Sequence, residues 1–216
     1  MNQYPGQRQP LPASMVILGI TVAIYFLQDN LLAGWLNQLA LWPIGGPDRI
    51  DIGGGRIVQA PDFQPWQLVS YGFLHGNFAH LFFNMFALYM FGLPIERAWG
   101  TRRFLIYYFV CMIGAGLVQL TVAAVTGGFY ATIGASGAVF GLLLAFGMMY
   151  PNATIMLLIP PIPLKAKWFV IGYGILTLFL GVTGTMAGIA HFAHLGGMLF
   201  GFALIMYWGS RGRRRR

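Results

Sequence analysis

A chain of 216 residues in which 57% of side chains are hydrophobic and only 8% charged is not an ordinary soluble domain, since soluble proteins are about a quarter charged. A net charge of +8 would suit nucleic acid, but the basic residues gather at the ends of apolar runs, which is a topology signal, so nucleic acid is not expected as a partner. The single cysteine, Cys111, lies inside an apolar run, cannot form an intrachain disulfide and reads as a packing residue.

In chain order, residues 1–13 read as a flexible lead, with the proline-containing polar segment up to Pro12. The first apolar run, Ser14 to Leu32, has a weakly basic flank and no small-residue cleavage site, so it reads as a retained span and not a signal peptide. Residues 33–67 form a long Gly/Pro-rich loop carrying Trp35, Trp42 and Trp66, which suits a segment at the bilayer surface. A second span is expected over Phe78–Leu93 and a third over Phe104–Val125, joined by the charged PIERAWGTRR. A glycine-rich uncharged stretch, TGGFYATIGA, then leads to a fourth span over Gly137–Tyr150, stopped by Pro151. The fifth covers Trp168–Val182 and the sixth Ala190–Trp208, so residues 14–208 form one helical membrane domain and 209–216 a basic tail.

Six spans put both termini on one side. Arg8, Arg97, Arg102, Arg103, Lys165, Lys167, Arg211 and Arg213 to Arg216 fall on that side, and only Arg49 and Arg56 on the other. The excess of positive charge makes the termini cytoplasmic and turns the first long loop, Ser136 and the 183–189 loop outward. The basic tail is explained by orientation and contact with anionic lipid.

The fourth span is short: about 14 helical residues reach roughly 21 Å, against a hydrocarbon core of about 30 Å. With Pro151 at the cytoplasmic surface, Ser136 sits below the outer one. Non-helical backbone at that depth requires burial in protein or access to water. The glycines at 127, 128 and 134 therefore suggest a dipping loop beneath a wet cavity.

The four histidines form two pairs, His75 with His80 and His191 with His194. Polar groups inside spans are candidates for function because the bilayer makes them costly. His80 and Asn84 are four residues apart and share a helix face, while His194, Gly197 and Gly201 form one stripe. Gly197 with Gly201, and Gly137 with Gly141, are GxxxG pairs that let helix backbones approach closely. A close contact between the fourth and sixth spans brings His194 to Ser136. Serine needs an adjacent base to act as a nucleophile, and His194 is the candidate. Ser136 also begins a helix, where free N–H groups can face an oxyanion. No Asp or Glu falls at membrane depth near these groups, so a Ser–His dyad is expected. A serine among glycines, a histidine on a helix seam and a GxxxG pair each occur as packing features alone. Their combination at one depth is what points to hydrolysis.

These residues resemble the rhomboid family of intramembrane serine proteases over nearly the whole chain. GxSG is Gly134-Ala135-Ser136-Gly137, HxxxN is His80 to Asn84 with His75 upstream, and AHxxGxxxG runs from Ala193 to Gly201. The resemblance implies an all-α membrane protein, a six-transmembrane-helix bundle with a long membrane-embedded first loop. It implies Ser136 as nucleophile, His194 as base and then acid, and an oxyanion hole of His80, Asn84 and the Ser136 N–H, shaped by Gly134. His75, Phe140, Gly197 and Gly201 would support the site. Transmembrane protein substrates and the lipid bilayer are the implied partners, with no metal or other cofactor, a bacterial inner membrane as location, and an active site toward the outer side. The 183–189 loop and the fifth helix would act as cap and gate.

Two positions depart from the family pattern. Gln67 follows Trp66 where arginine is common, and Phe140 stands where a tyrosine often stacks on the histidine. A non-proteolytic rhomboid-like protein that binds membrane clients is the alternative reading; retention of both Ser136 and His194 favours the enzyme. Haem ligation by the histidine pairs is a third, disfavoured because glycine-packed helices leave little room for a macrocycle.

Overall fold

The structure, a computed structural model, describes residues 10–28, 36–47, 49–51, 57–59, 61–157, 160–184 and 190–214. Each of the six apolar runs is helical over most of its described residues. Helix α1 spans Ala13–Gln28 and is followed in the first loop by the single turn α2, Leu36–Leu39, and the hairpin β1, Arg49–Asp51, with β2, Ile57–Gln59. Another turn, α3, Gln67–Ser70, continues into a 3₁₀ turn over Tyr71–Phe73. Two further elements, α4, Phe78–Ala87, and α5, Leu93–Trp99, are joined by π-helical turns at Leu88–Gly92, so one continuous helix of 22 residues runs from Phe78 to Trp99. Helix α6 covers Thr101–Thr126 and α7 covers Ser136–Met149. After α7 the hairpin β3, Thr154–Met156, with β4, Pro163–Lys165, leads into α8, Ala166–Thr183, and the chain ends in α9, His191–Arg214. Among the described residues four helices are long and apolar enough to cross a membrane, while α1 and α7, of 16 and 14 residues, are shorter.

Local chemistry explains the boundaries. Asn77 caps α4, its side chain accepting from the His80 N–H at 2.8 Å. The second span runs six residues further than its apolar run suggests. Pro94 lies inside this continuous helix, directly after the π-helical turns at Leu88–Gly92 whose wider winding accommodates its missing N–H, and the break comes only at Gly100, with φ +79°. Gly127 closes α6 in the left-handed conformation. The last helix likewise runs beyond Trp208 through to Arg214.

The core is built around the inner faces of α4, α6 and α7. Leu88, Ile95, Phe104, Tyr107, Tyr108, Met112 and Leu142 are fully buried. Helix α9 packs along both α6 and α7, the two most extensive helix contacts in the molecule. Small residues allow this: Gly114 faces Phe200, Gly196 faces Val118 and Ala115, and Gly197 meets the backbone of Gly137. The expected α7–α9 seam is thus present at Gly137, Gly141 and Gly197. Gly201 departs from it and packs instead on Tyr107 and Cys111 of α6. At the end of the bundle opposite Ser136, Glu96 closes the N-terminus of α1. Its carboxylate accepts from the Ala13 and Ser14 N–H groups at 2.7 and 2.9 Å and from the Ser14 and Thr101 hydroxyls at 2.7 and 2.8 Å. A carboxylate at a helix start stabilises both the free N–H groups and the helix dipole.

Candidate active site

The segment before α7 is non-helical, and its backbone groups are satisfied by distant parts of the chain. Leu41 of the first loop and Thr132 exchange N–H···O bonds of 3.0 and 2.9 Å, an isolated antiparallel bridge. The Gly134 N–H donates to the Tyr71 carbonyl at 2.9 Å, and the Tyr71 hydroxyl donates to the Met112 carbonyl at 2.7 Å. Burying irregular backbone demands such partners. They fix the entry angle of α7, whose first residue is Ser136.

Ser136 Oγ and His194 Nε2 lie 2.8 Å apart, a hydrogen bond between the first turns of α7 and α9. Phe140, one turn after the serine, stacks on the His194 ring with centroids 4.2 Å apart and planes 9° from parallel. The ring contact that the departure from tyrosine leaves possible is therefore made. Gly134 adopts φ +121°, a backbone conformation that L side chains rarely take, and a Cβ there would lie 2.7 Å from the His80 ring. The His80 ring in turn meets the fully buried His75 edge-on at 4.8 Å. Burial, with the neighbouring His80, pushes the His75 imidazole down to about 4. It is neutral near pH 7, and its Nε2 accepts a long 3.5 Å bond from the Ala135 N–H.

Asn84 is buried, and its Nδ2 donates to the His80 carbonyl one turn back at 2.9 Å, using one of its two N–H groups. Gly137 and Gly197 bring α7 and α9 into backbone contact just beneath the Ser136–His194 pair. His191, at the start of α9, has its ring 6.3 Å from that of His194. Of the loop at 183–189, residues 185–189 lie outside the described residues, as do Trp35, Asp48 and Arg56 of the first loop. Among the described residues no three His, Cys, Asp or Glu side chains are grouped to hold a metal.

Two glutamines that the motifs do not include hold this site in place. Gln28, the last residue of α1, donates from Nε2 to the His75 carbonyl at 2.8 Å and accepts from the His75 N–H at 3.4 Å. Gln67 is fully buried; its Oε1 accepts from the Trp42 N–H, and its Nε2 donates to the carbonyls of Gln38 and Asp62. The position where an arginine contact was expected to be missing is thus the residue that ties the first loop together. A polar residue inside an apolar run was the signal available for Gln28. Gln67 offered none beyond its place beside Trp66.

The profile of the Rhomboid domain matches residues 62–211. The chain belongs to the rhomboid family. It is similar to RHOMBOID-like protein 4 of Arabidopsis thaliana, with 34% identity over 180 residues, 82% of this chain and 40% of that protein. Similarity to Rhomboid protease GluP of Bacillus subtilis is 32% over 192 residues, covering 87% of this chain and 33% of the relative. Rhomboid protease GlpG of Serratia proteamaculans is 24% identical over 209 residues, 94% of this chain and 64% of the relative. The chain spans about a third to two thirds of the length of these relatives. With its apolar helices, this rhomboid is an integral membrane protein.

Proposed function

We propose that this rhomboid is an intramembrane serine endopeptidase working through a Ser136–His194 dyad. The observation that carries the reading is the 2.8 Å contact between Ser136 Oγ and His194 Nε2 at the start of a helix. In the reaction, Oγ attacks the scissile carbonyl carbon while Nε2 takes the hydroxyl proton. The tetrahedral oxyanion is met by the Ser136 N–H, the Asn84 amide and an N–H of His80, with Gly134 leaving room for the His80 ring. The C–N bond then breaks, and the imidazolium gives its proton to the leaving amine. Water, deprotonated by the same imidazole, hydrolyses the acyl ester and regenerates the serine.

No carboxylate takes part in this scheme. Glu96 is the buried acid among the described residues, and its oxygens are occupied by Ala13, Ser14 and Thr101 at the far end of the bundle. The stacked Phe140 ring holds the imidazole plane instead.

In this reading the six apolar helices all span a bacterial inner membrane, with both termini cytoplasmic and the long first loop embedded in the outer leaflet. The short α7 fits because the chain re-enters the bilayer around Ser136. Substrates are transmembrane proteins cut within or near their spans. The test is cleavage of a model transmembrane substrate by purified wild type beside Ser136→Ala and His194→Ala. Turnover by wild type alone supports the dyad. Equal cleavage by all three counts against the dyad, and cleavage by none across several substrates points to a client-binding rhomboid.

A further inference from the structure

We propose that α8 controls the orientation of the His194 imidazole through a continuous stack of aromatic rings, and that Tyr173 is the positioning residue in it. The inference rests on the dyad reading above. Phe140 is not merely stacked on His194. Its ring also stacks on Tyr173 of α8, with centroids 4.8 Å apart and planes 24° from parallel. Two near-parallel rings at 4.2 and 4.8 Å cannot share one face of Phe140, so it is sandwiched between them. The stack continues on α8 itself, where Tyr173 and Phe169 lie 5.6 Å apart at 13°. Four rings thus run from the candidate base to a helix that belongs to neither motif.

The rest of α8 shows why this contact matters. It is the least buried of the four long spans. The side chains it buries are Ala166, Val170 and Thr177, and Tyr173 lies on the same helical face at three- and four-residue spacing. Val170 packs on Gly147 near the far end of α7, and Gly174 faces Met198 of α9. At the depth of the base, Tyr173 is the ring through which α8 bears on Phe140. The Phe140 side chain has two rotatable bonds and no hydrogen bond to hold it. With Tyr173 absent, one of its faces is unsupported, and the ring can turn away from His194. A displacement of α8 would be transmitted to the imidazole by the same route.

The contact needs a flat ring and not a hydroxyl, which separates it from a role in filling space. Wild type, Tyr173→Phe and Tyr173→Leu are compared in proteoliposomes on a model transmembrane substrate. Tyr173→Phe is expected to keep kcat within about twofold. Tyr173→Leu is expected to lower kcat about tenfold, the scale of one aromatic pair, with KM little changed. The rate of Ser136 phosphonylation by a fluorophosphonate should fall in parallel. Wild-type or faster turnover and labelling in Tyr173→Leu, as a helix acting only as a lateral gate would give, overturns the inference. So does equal impairment of the Phe and Leu variants. If wild type neither cleaves nor labels, the dyad reading fails, and the stack is judged by NMR of the His194 ring protons. Those resonances should move in Tyr173→Leu and hold in Tyr173→Phe; unmoved resonances in both variants overturn it.

Discussion

Gly197 of α9 lies against the carbonyl of Gly137 of α7, so closely that a Cβ on Gly197 would collide with backbone and not with a side chain that could swing aside. Ser136 and His194 flank this contact on the two helices, one and three residues away in sequence. The separation of the helix backbones therefore sets the 2.8 Å bond between them. Gly197→Ala should push the helices apart, costing about 1–3 kcal/mol of stability, the usual range for overpacking. Activity should fall further than stability, because a hydrogen bond tolerates less displacement than a core does. Thermal unfolding in detergent and cleavage at a temperature well below the midpoint measure the two effects. Unchanged values for both would show that the backbones have room to spare.

Gly134 presents a second steric requirement of a different kind. Its φ of +121° is strained for any L side chain, and the His80 ring occupies the space a Cβ would enter. Gly134→Ala must either change the backbone before Ser136 or displace His80. Strain at such a position costs on the order of 1–3 kcal/mol, and either response disturbs the proposed oxyanion site. We expect a loss of kcat of at least about tenfold, approaching the 10²-fold scale of a lost oxyanion donor. The check is the same substrate assay alongside a melting curve; full turnover would separate His80 and Gly134 from the chemistry.

The legibility of this molecule in its sequence divides along one physical line. Ser136, His194, His80 and Gly134 stood out because polar and glycine residues are rare within apolar runs and their spacing on each helix can be counted. The helices themselves were legible from uninterrupted hydropathy. Contacts between segments were not. The Leu41–Thr132 bridge joins two irregular stretches with no periodicity to read. Gln67 looked like the absence of an arginine, since nothing near it reveals that three backbone partners will converge on its amide. Gly201 belongs to a GxxxG pair, but the motif marks close approach without naming the neighbour, and that neighbour is α6. Tyr173 shares a helix face with Val170 and Thr177, yet its stacking partner lies on another helix.

Gln67 gives a prediction about loop order. Replacing it with leucine keeps the volume and removes its bonds to the Trp42 N–H and to the Gln38 and Asp62 carbonyls, while the Gln38 carbonyl still accepts from Trp66 Nε1. Groups stranded away from water cost about 1–3 kcal/mol each, less where water can reach them. The first loop also carries Leu41, which holds Thr132 just before Ser136. Gln67→Leu should therefore raise protease sensitivity in the first loop and lower the melting point by several degrees. Hydrogen exchange at Leu41 and Thr132 should rise with it; wild-type exchange would show that the bridge stands without the clamp.

Glu96 predicts an effect on stability with little on chemistry. Its carboxylate accepts four hydrogen bonds at the opposite end of the bundle from Ser136. Glu96→Gln keeps the shape but exchanges one oxygen for an NH₂ group that faces donors. A hydrogen bond to a charged group contributes about 1.5–3 kcal/mol, and at least one is lost. The melting point should drop while kcat, measured well below it, stays within about twofold. A large loss of kcat in a folded Glu96→Gln protein would mean that α1 is coupled to the site more tightly than its packing indicates.

Asn84 decides between two roles for a buried amide. As a structural group it donates from Nδ2 to the His80 carbonyl at 2.9 Å. That carbonyl lies inside a helix, where it has a backbone partner as well, so the bond contributes only about 1 kcal/mol. As an oxyanion donor, the second N–H of the same amide acts when charge develops in the transition state. The two roles respond differently to Asn84→Ala. A structural role alone lowers the melting point slightly and leaves kcat near wild type. An oxyanion donor lowers kcat by about 10²–10³ with KM little changed, because the lost bond is made only in the transition state. We expect the second pattern, and expect Ser136 phosphonylation to slow with it, since that reaction also builds negative charge on oxygen. Full turnover by a folded Asn84→Ala protein would leave stabilisation of the oxyanion to the Ser136 N–H and His80.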